Sequence, residues 1–144
     1  MENQCGGRRT SGSRFGRTKM KIQRDPKLIA LQFNECISNQ DIEGLGRLMT
    51  EDHVFIDRDG NTTRSKESML RSWSKFFEMF PDYKNRFERV QSRDNVVFML
   101  GFAYWSEKNQ YDRAIWIASI ENDLVAEWRI YHDTEENRKE FGFS

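Results

Sequence analysis

The chain has 144 residues, enough for one domain that buries roughly two-thirds of the surface its unfolded state exposes. Its 23 Lys and Arg balance 23 Asp and Glu, so the formal net charge of zero gives no sign of a nucleic-acid or membrane partner. No apolar run reaches membrane-spanning length, and the first residues lack the apolar centre of a secretory signal. These features predict a cytoplasmic protein.

Residues 1–24 are predicted to be a disordered basic tail, and residues 25–144 a single domain. The tail holds seven Lys or Arg against one acid, Glu2, with few large apolar side chains to offset the entropy lost on ordering. A nucleic-acid-binding arm is the alternative, but we do not expect one because the basic residues are scattered without interleaved aromatics. Cys5 and Cys36 are too few for a disulfide framework.

Three amphipathic helices are predicted in the first part of the domain. The first begins with Asp25 as N-cap and Pro26 at the first helical position, and runs to about residue 39. Asp41 caps the second helix, Ser65 caps the third, and Pro81 ends the third. The apolar residues at helical spacing are Ile29, Phe33, Cys36 and Ile37, then Ile42, Leu45, Leu48 and Met49, then Leu70, Trp73, Phe76, Phe77 and Phe80.

The rest of the sequence reads as β-structure. HVFID, at 53–57, is a short strand, and RDGNTT turns the chain. Four longer runs, KNRFERVQS, VVFMLGFAYWSE, YDRAIWIASIE and LVAEWRIYH, are rich in aromatic and β-branched residues and joined by short polar connectors. Gly101 interrupts the second of these runs, which indicates a bulge or bend. The order predicts an α+β fold, with three N-terminal helices packed on a curved, mainly antiparallel sheet.

The stretch HVFIDRDG raises a question about Asp57. In a strand, Val54 and Ile56 point one way while His53, Phe55 and Asp57 point the other. Aspartate is depleted in strands and its charge is costly to bury unpaired. Either Asp57 ends the strand and starts the turn, or it faces a cavity where an acid is wanted.

Three segments together resemble a known superfamily. LQFNECISNQDIEGLGRLMTEDHVFIDRDGN, SKESMLRSWSKFFEMFPDY and LVAEWRIYHDTEENR are similar to the nuclear transport factor 2-like superfamily, in its SnoaL-like and ketosteroid-isomerase-like branch, over about residues 27–138. The resemblance implies a cone-shaped half-barrel with a deep apolar cavity, usually in a homodimer packed through the sheet. Members include isomerases, epoxide hydrolases, polyketide cyclases, non-catalytic carriers and interaction modules, so the fold alone does not choose a function.

The resemblance places Asp57 at the general-base position of ketosteroid isomerases. The two hydrogen-bond donors that stabilise the enolate in those enzymes fall on Phe33 and near Ile117, and neither side chain can donate. Limonene epoxide hydrolases need an aspartate on the last strand where this chain has Ile130. We therefore expect neither steroid isomerase nor limonene epoxide hydrolase activity.

His132 is the partner that the resemblance suggests for Asp57. In the resembled fold the first short strand lies parallel to the last, whose Trp128, Ile130 and His132 share one face. An Asp57–His132 pair would form a general base near neutral pH. The alternatives are that Asp57 only caps its turn, that His132 is a surface histidine, and that His53 is a core histidine bonded to the backbone.

The predicted ligand is a small apolar or aromatic molecule. The residues expected to line its pocket are Phe33, His53, Phe55, Trp73, Tyr83, Trp116, Trp128 and Ile130. No metal site or cofactor is expected, because two histidines have no closely spaced third ligand and no phosphate-binding glycine loop is present. An isomerase-, cyclase- or hydrolase-like enzyme using Asp57 and His132 is one hypothesis. A non-catalytic ligand-binding or dimerisation module is the other.

Overall fold

The computed structural model describes residues 24–106 and 110–143. The predicted tail, except Arg24, lies outside these residues. Within the described ranges, four helices and six strands follow one another in the order α1 Pro26–Ser38, α2 Ile42–Leu48, β1 Met49–Ile56, β2 Thr62–Arg64, α3 Lys66–Met79, β3 Lys84–Arg93, β4 Val96–Ser106, β5 Gln110–Glu121, β6 Leu124–His132 and α4 Glu135–Glu140.

The three predicted N-caps are confirmed. The Asp25 carboxylate accepts a hydrogen bond from the Lys27 N–H at 3.0 Å, at the start of α1. Asp41 caps α2 and Ser65 caps α3 through side-chain oxygens that accept a backbone N–H three residues later. Since each bond satisfies a donor that a helix start leaves free, these short polar signals set where the helices begin.

All six strands form one sheet in the order β2-β1-β6-β5-β4-β3. Every pairing is antiparallel except that of β1 with β6, which is parallel. The predicted α+β architecture is confirmed. The sequence interpretation missed β2, which has three residues and is too short to show an alternating pattern. The predicted first strand began at residue 53, whereas β1 begins four residues earlier, at Met49.

At Gly101 the backbone of β3 lies very close to β4. Gly101 pairs with Phe87, and the register of the two strands shifts between Phe87 and Arg89. A Cβ atom at Gly101 would lie 2.8 Å from the Cα of Phe87, and closer still to the carbonyl oxygen of Arg86. A side chain is therefore excluded at Gly101, and the bulge predicted there is present in the facing strand, where Glu88 of β3 is the extra residue.

The two faces of the sheet are covered differently. Helices α1, α2 and α3 pack on one face, which carries the main apolar core. On the opposite face, the residues after α4 fold back onto the central strands in a second cluster formed by Phe98, Leu100, Ile115, Phe141 and Phe143. No helix in the described ranges is long and apolar enough to cross a membrane.

Next to this second cluster, the same face carries three neighbouring aromatic side chains. The rings of Phe102, Tyr104 and Tyr111 lie 5.3–6.1 Å apart. Tyr111 is 53% exposed. A homodimer packed through the sheet, which the resemblance implies, stays a prediction.

Candidate functional site

A cavity of about 440 Å³ opens between α3 and the helix-facing side of the sheet. We call it the aromatic cavity. Its volume lies in the range of pockets that hold small molecules. The apolar wall consists of Phe55, Met69, Trp73, Phe76, Tyr83, Trp105 and Ile130, and the polar lining consists of Asp57, Arg58, Asp59, Thr63 and Ser72.

The aromatic rings of the wall pack against one another largely edge to face. Phe76 meets Trp73 at 87° with ring centroids 5.6 Å apart, and meets Tyr83 at 86° and 4.8 Å. Trp105 contacts Tyr83 at 5.0 Å, and its indole N–H donates a hydrogen bond to Asp112 at 2.9 Å. Because these contacts fix the rings relative to one another, the cavity is shaped before any ligand binds.

A wider depression of about 500 Å³ lies at the outer surface near the end of α1. Its lining is mostly polar or charged and includes Asp82, Lys84 and Arg86. Such an open, polar surface offers little apolar area to bury, so the aromatic cavity is the better candidate for a binding site.

Asp57 is held by its own turn. Its carboxylate accepts hydrogen bonds from the backbone N–H groups of Asp59 and Asn61, both at 2.9 Å, and from the Asn61 side-chain amide at 3.1 Å. Partial burial raises the pKa of Asp57, but the bonds from Asn61, Asp59 and Gly60 together lower it below its ordinary value. Asp57 therefore lines the cavity as a turn-capping carboxylate and is a weak base.

The contact between Asp57 and His132 does not form. His132 Nε2 lies 4.0 Å from Asp59 Oδ1, and both side chains are mostly exposed. Strand β1 ends at Ile56, which pairs with Arg129 in β6, so His132 lies three residues further along. Asp57 turns back into the 57–61 loop instead of extending toward the end of β6. The suggested Asp57–His132 base is thus replaced by a loose, solvated pair between His132 and Asp59.

His53 belongs to the core. It has no exposed surface, and its Nδ1 lies 2.7 Å from the carbonyl oxygen of Val125. Since a carbonyl only accepts, Nδ1 carries the proton and donates it. Burial lowers the pKa of His53, against weaker opposing effects of the Val125 bond and the Asp52 charge. The ring is therefore neutral, and its Nε2 has no hydrogen-bond partner among the described residues.

The structure divides the predicted lining residues into two groups of four. The aromatic cavity is lined by Phe55, Trp73, Tyr83 and Ile130. The other four have no exposed surface and are packed in the core: Phe33, His53, Trp116 and Trp128. The Phe33 ring lies 4.8 Å from that of Trp128 and 5.7 Å from that of His53, because α1 closes over this part of the sheet.

Several cavity residues were not among the eight predicted lining residues, although Phe76 was predicted to lie on the inward face of its helix. Trp105 follows Gly101 and Ala103 on the inward face of β4, and Phe76 lies one turn after Trp73 on α3, so periodicity could have found both. Arg58 and Asp59 carry no such signal, because side-chain directions in a turn follow no fixed period.

Tyr83 supplies a neutral hydroxyl to the wall. Its side chain is almost fully buried, and this burial raises the pKa of the phenol well above its ordinary value. The charge of Arg58 and the side chain of Asn85 lower it by less. Tyr83 is therefore protonated at any physiological pH and can donate a hydrogen bond.

The family follows from a match that covers most of the domain. The model of the SnoaL-like domain matches residues 30–132. The chain belongs to the SnoaL-like domain family. No relative matches this SnoaL-like chain among curated protein sequences. In the described part of the chain, no three His, Cys, Asp or Glu side chains are grouped so that they could hold a metal ion.

Solved structures share the fold of this SnoaL-like domain at low sequence identity. A cystatin-fold protein from Novosphingobium aromaticivorans is 14% identical with a TM-score of 0.69, covering 76% of this chain and 100% of that one. An NTF2-like protein of unknown function from Cytophaga hutchinsonii is 16% identical with a TM-score of 0.65, covering 85% and 99%. An LEH-like epoxide hydrolase from M. tuberculosis is 12% identical with a TM-score of 0.63, covering 75% and 82%. At these identities the likeness concerns the fold alone.

Proposed function

We propose that this SnoaL-like domain binds a small, largely apolar or aromatic molecule in the aromatic cavity. The observation that carries the proposal is an open space of about 440 Å³ whose wall holds five aromatic side chains. Transfer of an apolar ring from water to such a wall is favourable, roughly in proportion to the area buried. The polar groups lie mainly in the 57–61 turn and can orient a ligand without filling the space.

Binding without chemistry is favoured over acid–base catalysis. An isomerase-, cyclase- or hydrolase-like reaction needs a base that faces the ligand with a pKa near the working pH. Asp57 faces the cavity, but its hydrogen bonds lower its pKa. His132, the other half of the suggested base, is 58% exposed and lies beside Asp59. The fold is shared with an LEH-like epoxide hydrolase, but this chain has Ile130 where limonene epoxide hydrolases carry an aspartate.

Blocking the cavity tests the proposal. Ser72 lies on α3 and lines the cavity, so a Ser72→Trp side chain is expected to occupy part of the space. Calorimetric titration of the full chain with naphthoate, a two-ring aromatic acid, should show binding to the wild type and at least about tenfold weaker binding to the variant.

The matched control is Lys75→Trp, which adds the same side chain at an exposed position of α3 that does not line the cavity. This variant should bind naphthoate as the wild type does. Equal binding by all three proteins would place the ligand elsewhere and refute the proposal.

A further inference from the structure

The acidic groups of the aromatic cavity are already engaged or hydrated. Asp57 accepts three hydrogen bonds within its turn. Asp59 is 78% exposed, so water screens its charge. Asp112, beside the wall, accepts the indole N–H of Trp105. A ligand that entered the cavity would find little unsatisfied acceptor capacity among these carboxylates.

Arg58 differs from the acids on either side of it. It lines the cavity, yet none of the ion pairs among the described residues includes its guanidinium. Among the described residues its one hydrogen bond is long, 3.4 Å from Nη1 to the carbonyl oxygen of Arg113. A guanidinium has five N–H donors, so most of its capacity is unused. Arg58 therefore brings an unpaired positive charge to the edge of an aromatic space.

Two further donors belong to the wall itself. The Trp73 indole N–H is buried and has no acceptor among the residues that the structure describes. The Tyr83 hydroxyl is protonated and lies close enough to Arg58 for the positive charge to act on it, and it already has a hydrogen-bond partner in the side chain of Asn85. Buried indole and phenol groups ordinarily have a hydrogen-bond partner. The unused hydrogen-bond donors that the described residues bring to the cavity are thus the Arg58 guanidinium and the Trp73 indole N–H.

We propose that the ligand of the aromatic cavity is an aromatic or apolar ring compound that carries a carboxylate, which Arg58 binds at the rim. This inference rests on the proposed binding function and narrows its ligand class. The ring lies against Phe55, Trp73 and Trp105, and the carboxylate remains at the solvent-facing edge, where its desolvation costs least. Hydrogen bonds from a guanidinium to a carboxylate are stronger than those between neutral groups. The cavity should therefore bind an aromatic acid more tightly than an uncharged compound with the same ring.

Three probes of the same shape separate the ligand classes. Naphthoate, naphthamide and naphthylmethylamine are negative, neutral and positive at neutral pH, and each is titrated calorimetrically into the full wild-type chain. We expect naphthoate to bind about tenfold more tightly than naphthamide, and the amine to bind most weakly. Naphthamide binding as tightly as naphthoate, or tighter binding of the amine, would overturn the carboxylate assignment while leaving the binding function standing. Absence of binding by all three would overturn both.

Arg58→Gln identifies the group responsible. This variant should bind naphthoate about tenfold more weakly than the wild type, so that the preference for naphthoate over naphthamide is lost. The control is Arg64→Gln, which removes the same charge from an exposed position of β2 outside the cavity. Retention of the preference in Arg58→Gln, or its loss in both variants, would contradict the role of Arg58. The titration of the wild type with the three probes tests the preference for a carboxylate even if the Arg58→Gln variant does not fold.

Discussion

Replacing Phe33 with Ala is expected to lower the free energy of unfolding by about 4 kcal/mol. Phe33 has no exposed surface, and its ring contacts those of Trp128 and His53. Removing the ring loses the free energy that is gained when the ring is buried away from water. It also leaves a void that the sheet beneath cannot close. Urea denaturation followed by far-UV circular dichroism measures the change. An effect this large identifies Phe33 as a core residue that joins α1 to the sheet.

The control for Phe33 lies two residues away on the same helix. Leu31 is 39% exposed whereas Phe33 has no exposed surface, so Leu31→Ala removes less buried area, and the helix propensities of Leu and Ala are similar. We expect a change of about 0.5 kcal/mol. If the two variants were equally stable, α1 would not pack on the sheet as described, and the boundary between core and aromatic cavity would be wrong.

Asp57→Ala is expected to cost about 1.5 kcal/mol of stability at neutral pH, because three hydrogen bonds to a charged group are lost. The pKa of Asp57 is lower in the folded chain than its ordinary value of 3.8. The stabilisation by its charge is therefore present above that value and is lost as the pH falls through the lower, folded value. The stability difference between wild type and variant should be constant from neutral to mildly acidic pH and shrink below about pH 4.

Asp52→Ala controls for the loss of a carboxylate near β1. Asp52 is exposed, and its removal should change stability little at any pH. An Asp57→Ala variant as stable as the wild type would contradict the turn-capping role and restore the possibility of a free base. Thermal melts over a pH series give both comparisons.

Local signals predicted much of the fold. Asp25, Asp41 and Ser65 were recognisable as N-caps because capping depends only on residues within one turn. Strands β3 to β6 were visible because each is a run of nine or more residues rich in aromatic and β-branched side chains. Strand β2 was not visible, since three residues carry no period and form a strand only by pairing with β1.

The site was predicted less completely, for two physical reasons. Trp73 and Trp128 both carry the inward pattern of their elements, but only the three-dimensional placement of α1 decides that Trp128 is covered and that Trp73 borders open space. Asp57 could extend the strand or close a turn, and the choice depends on hydrogen bonds with Asn61 that compete with a contact across the sheet. Arg58 lies in that turn, so no periodicity indicates where its guanidinium points.

The most direct test is a crystal structure of the full chain grown with saturating naphthoate. We predict the two-ring system within the aromatic cavity, against Phe55, Trp73 and Trp105, with a carboxylate oxygen about 3 Å from the Arg58 guanidinium. Density for the ligand at another surface, or a cavity that stays free of ligand at saturation, would contradict both the binding site and its selectivity.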